Sequence, residues 1–375
     1  NGGTTPTLVA HNAKFDIKYL MRDYPDFPWD KVRVWDTMTH HYKATGHVEK
    51  YISMEDLAEQ SGLCMNKTMD LGALLDQGIK MENIDKDELE EYLRQDVAIL
   101  EEIYKAQVAV SCDAYNMDYI LPLAEMELNG LPLDYEALLV KRSEADQQMG
   151  QLWLNMTDYI VLNYEWQDGS PIDKTADFTK DLGTKVKTIK PFANRTLSMI
   201  LFGEPSTLKM GSSKWSVVPK STTAPLCGKP QGTPSNLGYP VDESVLEELP
   251  FNNVIDWNLQ FRHWAKLNGT YYTPFLEQIN ANKDSDDIYP SLNTTATNTG
   301  RLSSSNPNGQ NMPVEARELV VAKHGYVIEE LDWSQLEIVG AATLSRSTEL
   351  INAIKSGIDI HHDTASAVFG PDDAD

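Results

Sequence analysis

The chain has 375 residues, 41% hydrophobic and 23% charged, which is the balance of a globular protein large enough for more than one domain. It contains no apolar run of about 18 residues and opens on Asn1-Gly2-Gly3, which argues against a membrane span and a signal peptide. Its three cysteines form no CxxC pair, so we expect no disulfide framework, no zinc knuckle and a reducing compartment.

The formal net charge of −24 argues against nucleic-acid binding if it is taken as a bulk property. The charge is uneven, however. Residues 70–102 carry eleven acids and three bases, whereas residues 174–229 carry ten bases and three acids. The basic block is either a phosphate-binding footprint or a solvated, loop-rich surface, and composition leaves both interpretations open.

The first 110 residues predict alternating strands and helices. Residues 7–10 and 32–35 are short apolar strands, and residues 15–22 between them have a helical pattern. A long amphipathic helix is predicted over residues 86–110, because leucine, valine and tyrosine recur there at three- and four-residue spacing. This order of elements is typical of an α/β domain.

After residue 110 the pattern changes several times. We predict a helix end, a turn at Gly130 and a short strand within residues 123–134, followed by a helix over residues 135–163. Residues 164–250 have few periodic segments, and residues 205–240 are expected to be an irregular insertion. The later predictions are helical patterning at 241–266, a loop at 291–313, a strand at 326–332, and helices at 334–345, 348–355 and 361–369, with Gly357 and Gly370 at helix C-caps.

Two carboxylates near the N-terminus suggest phosphodiester chemistry. Asp16 follows a strand-to-helix turn in the sequence HNAKFD, and Tyr92 and Asp96 are four residues apart on one helix face. Two-metal hydrolysis needs oxygen ligands and a group that aligns the attacking water, which Tyr92 could supply. The alternative is that both acids are ordinary surface residues. Three histidines, His40, His41 and His47, lack the spacing of a zinc site and are predicted to be surface residues.

A polar segment and a following acid form the second constellation. In the sequence TGRLSSSNPNGQNMP at 299–313, the Arg301 guanidinium could reach minor-groove acceptors that all base pairs share. Further donors to phosphate, sugar or base edges are Ser303, Ser304, Asn306, Gln310 and Asn311. Asp332 is predicted to end a strand, where it could bind metal together with the carbonyl of Trp333. Glu337 is placed one turn into the next helix, where its side chain could block a ribose 2′-OH.

The motifs at 299–313 and 332–337 closely resemble those of the family A DNA polymerases. The resemblance implies that Asp332 is a catalytic metal ligand and Glu337 the sugar-selecting residue. It also implies that Arg301 contacts the primer-terminal minor groove, that Arg262 and Lys266 touch the DNA backbone, and that Ser334, Gln335 and His361 lie on the nucleotide side. Residues 6–110 resemble the DEDD-type 3′–5′ proofreading exonucleases, which implies that Asp16 and Asp96 bind metal and that Tyr92 positions water.

The resemblance implies a mixed α/β and α+β multidomain fold. It comprises a partial RNase H-like exonuclease domain at 1–110, a connector and helical thumb at 111–285, and the first part of a polymerase palm at 286–375. Mg²⁺ is the expected cofactor; primer-template DNA and deoxynucleoside triphosphates are the expected partners, with an unknown processivity factor. Trp333 and the 205–240 insertion favour a bacteriophage origin, and the expected location is the cytoplasm of a bacterium or an infected host.

Several departures from the family pattern limit the expected activity. The exonuclease family's first motif, a DxE pair on a strand before Asp16, is absent, and so is the polymerase's second catalytic acid. We therefore expect a fragment cut at both ends, with two incomplete metal sites and negligible exonuclease activity by itself. The alternatives are a stand-alone exonuclease with an appended DNA-binding region, and a catalytically silent DNA-binding module; the motifs at 299–337 argue against the first.

Overall fold

The computed structural model describes residues 5–63, 71–110, 116–175, 178, 189–210, 215–230, 233–282 and 285–370. The chain divides into two compact units, Asn1–Val321 and Ala322–Asp375. The predicted mixed fold of helices and sheets is confirmed.

The first unit begins with a β-α-β arrangement, as the apolar pattern predicts. Strands β1 (Thr7–Ala10) and β2 (Arg33–Asp36) are parallel, and helix α1 (Ala13–Asp23) connects them. Asp36 ends β2 and caps helix α2 (Thr37–Ala44), because its side chain accepts hydrogen bonds from the backbone N–H groups of Met38 and Thr39.

Two short helices, α3 (Met54–Gln60) and α4 (Leu71–Asp76), lead to α5 (Lys86–Val110). The bounds of α5 are those that the sequence predicts. The helix packs against α2 and α3, and its buried Ile103 joins a small core with Met38 and Leu57.

The central part of the unit consists of long helices and a short strand. Helix α6 (Ile120–Asn129) ends at Gly130, whose φ of 66° leads into β3 (Leu131–Pro132). A Cβ atom at Gly130 would lie 2.7 Å from the ring of Tyr289, so glycine is required there. Helix α7 (Tyr135–Asn163) also has its predicted bounds, with the Asp134 side chain as its N-cap.

The predicted irregularity of residues 205–240 is wrong in part. Strands β4 (Tyr164–Trp166), β5 (Leu208–Met210) and β6 (Trp215–Pro219) form an antiparallel sheet in the order β4-β6-β5. Helix α8 (Asn194–Phe202) lies between β4 and β5 in the chain, and α9 (Glu243–Glu247) follows β6. Leu208, Val217 and Tyr239 are buried in the core that α8 helps to form. The strands are three to five residues long, so sequence periodicity is too brief to reveal them.

The unit ends with helices and a hairpin. Helix α10 (Asn253–Lys266) continues through a π-helical turn (Leu267–Tyr272) into α11 (Thr273–Ala281). The remaining elements are β7 (Asp287–Ile288), which pairs with β3, then β8 (Ser291–Asn293), β9 (Ser303–Ser305) and α12 (Val314–Arg317). Strands β8 and β9 lie within the segment predicted to be a loop.

The second unit contains helices and no strand among its described residues. The predicted strand at 326–332 is absent: these residues pair with no described strand and are exposed, with Leu331 89% accessible. A strand needs neighbouring backbone groups for its hydrogen bonds, which an apolar sequence cannot itself provide. Helices α13 (Leu336–Ser345), α14 (Thr348–Lys355) and α15 (Ile360–Phe369) follow, and Gly357 and Gly370 have the positive φ expected after helix ends.

Candidate nucleic-acid interface

The best-defined candidate surface is the β8–β9 hairpin with the loop that joins its strands. The strands are antiparallel with Leu292 opposite Ser304, and residues 294–302 form the loop. Within it, the Thr297 hydroxyl donates a 2.7 Å hydrogen bond to the Arg301 carbonyl, and Thr294 and Thr295 are buried. The loop therefore has internal structure that fixes the backbone beside Arg301.

Gly300 sets the path of the chain immediately before Arg301. Its φ is 75°, and an added Cβ would lie 2.7 Å from Cε1 of His47. Only glycine satisfies both the backbone conformation and this close approach. The Arg301 side chain is exposed at this turn, as a contact to the minor groove requires.

A second turn follows β9. The Asn308 side chain accepts hydrogen bonds from the backbone N–H groups of Gln310 and Asn311, at 3.1 and 3.2 Å. The Tyr271 hydroxyl donates to the Asn311 carbonyl, and Met312 is buried in the adjoining core. This turn is anchored at both ends, and the side chains of Gln310 and Asn311 are exposed.

The predicted DNA-contacting residues separate by exposure. Asn306, like Gln310 and Asn311, is exposed, whereas Ser303 is half-buried. Ser304 is only 8% exposed, and its Oγ accepts a 3.0 Å hydrogen bond from the Gly309 N–H. Ser304 thus stabilises the turn, and its hydroxyl is occupied within the protein.

The two cations of α10 differ in the same way. Arg262 is half-buried and donates to the Val241 carbonyl at 2.7 Å and to Asn194 Oδ1 at 3.2 Å. Burial lowers the pKa of its guanidinium, and the charges of Asp242 and Glu243 oppose that shift. Lys266 is exposed at the end of the helix, so it is the better placed of the two for a phosphate contact.

Six bases of the block at 174–229 lie among the described residues, and three of them contact acids or carbonyls of the protein itself. Lys174 pairs with Asp158 and Lys229 with Glu204, and Lys220 Nζ donates to the carbonyls of Val161 and Leu162. Four bases lie outside the described residues: Lys180, Lys185, Lys187 and Lys214. These contacts argue against a phosphate-binding role for Lys174, Lys220 and Lys229.

In the second unit, the residues predicted to bind metal and nucleotide lie at the start of α13. Asp332, Trp333, Ser334 and Glu337 are exposed, and Trp333 is 78% accessible. Gln335 precedes the helix with φ of 53°, and Glu337 is in the first turn. Asp332 is therefore not buried in an apolar core.

His361 is exposed in the first turn of α15. The preceding Asp359 caps this helix, because its carboxylate accepts hydrogen bonds from the N–H groups of His361 and His362. These bonds lower the pKa of Asp359. The acid in the sequence DIH thus has a local structural role.

Two acids of the N-terminal β-α-β arrangement, Asp16 and Asp36, lie close enough for their charges to interact. The pKa of Asp16 is raised by desolvation and then by the negative charge of Asp36. Asp36 is 1% exposed and accepts bonds from the Asn12 and Met38 N–H groups and the Thr39 hydroxyl. Its oxygens are thus used as a cap and a turn anchor.

The other predicted nuclease residues, Tyr92 and Asp96, are half-buried on one face of α5. Family A DNA polymerases generally use divalent metal ions. Among the residues that the structure describes, no group of three or more His, Cys, Asp or Glu side chains could hold a metal. The described residues around Asp16, Asp96 and Asp332 therefore do not form a complete Mg²⁺ site, which needs several oxygen ligands.

Three residues have structural roles that the sequence analysis did not assign to them. His40, predicted to lie at the surface, is 2% exposed and stacks on Trp35, and desolvation lowers its pKa to about 4. Lys14 and Glu127 form a buried ion pair beside β8. The sequence signal available for Glu127 was weak, because α6 carries two acids, Glu125 and Glu127, and only the structure shows which one is buried.

No described helix has the length and apolarity needed to cross a membrane.

Comparison with known proteins shows that this chain is similar to DNA polymerases. Residues 222–375 match the family described as DNA polymerase family A. The DNA polymerase I of Caldicellulosiruptor bescii is 39% identical over 145 residues, which are 37% of this chain and 17% of that protein. The DNA polymerase I of Pseudomonas aeruginosa is 26% identical over 389 residues, covering 96% of this chain and 36% of that protein.

A solved structure shares the fold. The polymerase domain of Pol1 from M. smegmatis, in complex with DNA primer-template and dNTP, superposes with a TM-score of 0.60 at 23% identity. The match covers 96% of this chain and 54% of that one. The resemblance to family A seen in the motifs is confirmed, while the bacteriophage origin and the three domain boundaries stay predictions. The chain spans well under half the length of the curated relatives that it matches.

Proposed function

We propose, from the relation of this chain to the family A DNA polymerases, that it holds primer-template DNA for template-directed nucleotide addition. The observation that carries the proposal is the exposed Arg301 on a hairpin turn whose backbone is fixed by Thr297 and by Gly300 against His47. A guanidinium in a fixed position can test the acceptors that correct base pairs share in the minor groove. Gln310, Asn311 and Lys266 would add contacts to sugar and phosphate.

The chemical step is proposed for the whole protein in which these residues act. In it, a primer 3′-OH attacks the α-phosphate of a deoxynucleoside triphosphate and pyrophosphate leaves. The proposed role of Asp332 is metal binding, and that of Glu337 is exclusion of a ribose 2′-OH, with Ser334, Gln335 and His361 on the nucleotide side. Asp332→Ala is expected to abolish primer extension and to preserve primer-template binding.

Primer-template binding tests the proposal directly. Fluorescence anisotropy with a labelled primer-template should show tighter binding than with the single strand, and Arg301→Ala should weaken duplex binding about tenfold. Arg94→Ala is the matched control, because Arg94 is an exposed cation on α5 that pairs with Glu90. Both variants remove one positive charge. Equal losses of affinity would therefore reflect net charge alone and would contradict a specific contact by Arg301.

A second candidate function is 3′–5′ exonuclease activity. The observation that favours it is the raised pKa of Asp16 close to a second acid. We expect negligible activity from this chain, because the described acids do not supply a complete metal site. Mg²⁺-dependent degradation of labelled single-stranded DNA that Asp16→Asn abolishes would overturn that expectation.

A further inference from the structure

A buried carboxylate connects helix α6 to the hairpin. Glu127 is 6% exposed and lies on the buried face of α6 with Leu123 and Ala124. It accepts hydrogen bonds from Lys14, from Lys18 at 2.6 Å and from the Leu292 N–H at 2.6 Å. Burial by itself would raise the pKa of Glu127, but these donors outweigh it and the net shift is downward. The carboxylate is therefore charged at neutral pH.

Lys14 completes the contact with the strand. Its Nζ donates both to Glu127 and to the Leu292 carbonyl, and the residue is 9% exposed. Both backbone polar groups of Leu292 are thus bound by side chains. A strand edge normally needs another strand for these bonds; here the Lys14–Glu127 pair takes that place.

The same N-terminal region also contacts the loop. The Tyr42 hydroxyl donates to the Thr297 carbonyl, and the Thr39 and Thr294 hydroxyls are 3.4 Å apart. The His47 ring lies against Gly300 and is 4.6 Å from the Tyr42 ring. Contacts from α1, α2, α6 and the turn after α2 therefore reach the hairpin on β8 and on both sides of the loop.

These contacts give α1, α2, α6 and the turn after α2 a structural role that does not depend on nuclease activity. Arg301 can check a minor groove only if its backbone does not move, and the hairpin has just two short strands of its own. We propose that Lys14 and Glu127 are positioning residues for Arg301, which hold the outer edge of β8 so that the guanidinium meets the primer end in one orientation. This inference rests on the proposed function, and it explains how the fold would hold Arg301 in place.

The test is a double-mutant cycle on primer-template binding. Lys14→Met keeps the length of the side chain and removes its charge, and we expect it to weaken duplex binding about tenfold. If Lys14 acts through Arg301, then Lys14→Met should have little further effect in an Arg301→Ala background. If Lys14→Met acted only by lowering general stability, its loss of affinity and the loss caused by Arg301→Ala would multiply when the two substitutions are combined. Lys18→Met is the control, because Lys18 touches Glu127 without reaching Leu292, and its binding should stay within about twofold of the native chain.

A second variant distinguishes a loss of positioning from misfolding caused by an unpaired buried charge. The double variant Lys14→Met with Glu127→Leu removes both buried charges, so no unpaired carboxylate is left in the interior. We expect it to fold, to bind duplex as weakly as Lys14→Met, and to show faster amide hydrogen exchange in peptides covering 291–305.

The outcomes separate the two proposals. If Arg301→Ala weakens binding while Lys14→Met and the double variant do not, or if the effects multiply, the positioning role is overturned and the proposed function stands. If the native chain does not prefer primer-template over single strand, the proposed function fails and this inference fails with it.

Discussion

The hairpin at 291–305 and the segment at 326–337 differ sharply in how their backbones are held, although each contains part of a motif that resembles the family A DNA polymerases. In the hairpin, the backbone is fixed by Ser304, Thr297, Gly300 and the Lys14–Glu127 pair. In the second segment, Leu331 and Trp333 are 89% and 78% exposed, and the expected strand does not form within the described residues. A motif identifies chemistry, whereas geometry depends on neighbours that bind the backbone.

The largest expected difference concerns the buried ion pair. Lys14→Met leaves Glu127 in the interior with one partner fewer and should lower the free energy of unfolding of the first unit by about 3 kcal/mol. Asp332→Ala, in the exposed segment, should change stability by less than about 0.5 kcal/mol. Urea unfolding followed by tryptophan fluorescence measures both. Equal effects would remove the contrast between the two regions.

Glycine substitutions should have opposite signs in the two units. Gly300→Ala places a Cβ against His47 at a positive φ, so it should cost about 2 kcal/mol and accelerate amide exchange in the hairpin. Gly340 lies within α13 with no atom within 4 Å of an added Cβ. Gly340→Ala should therefore stabilise α13 by about 0.5–1 kcal/mol. Hydrogen exchange of the two peptides checks each sign, and a stabilised hairpin in Gly300→Ala would refute the role of that turn.

Two serines provide a finer comparison. Ser304→Ala removes a buried hydroxyl that accepts from the Gly309 N–H, so we expect a loss of about 1 kcal/mol. Ser334→Ala removes an exposed hydroxyl and should change stability by less than about 0.5 kcal/mol. Thermal unfolding of both variants tests this, and a neutral Ser304→Ala would show that the turn does not need the bond.

The smallest expected effect is the pH dependence of the stability that the Glu127 contact contributes, which is constant near neutral pH. The folded pKa of Glu127 lies below its ordinary value of 4.5. Its stabilising contribution is therefore complete above about pH 4.5 and is lost as the pH falls through the lower folded value. The difference in unfolding free energy between the native chain and Glu127→Gln should be constant from pH 7 to 5 and shrink below pH 4. A difference that shrinks between pH 7 and 5 would contradict the lowered pKa.

Local patterns predicted the long helices well. The bounds of α5 and α7 match because many turns repeat the same apolar spacing, and Asp134 gives a clear start to α7. The sheet formed by β4, β5 and β6 was missed, because strands of three to five residues leave little pattern and their partners are distant in sequence. The strand at 326–332 was predicted from apolar residues, but no described strand pairs with it.

The sequence by itself determined the resemblance to the family A DNA polymerases and the long helices, and it predicted which polar residues contact DNA, because each of these rests on residue types at short spacing. Only the tertiary structure decided that Arg301 is exposed, that Arg262 is half-buried and that Ser304 is buried. It alone also brought Lys14 and Glu127 to Leu292, across 278 and 165 positions of sequence. Burial and hydrogen-bond partners depend on contacts between distant segments, and no local pattern records which segments will meet.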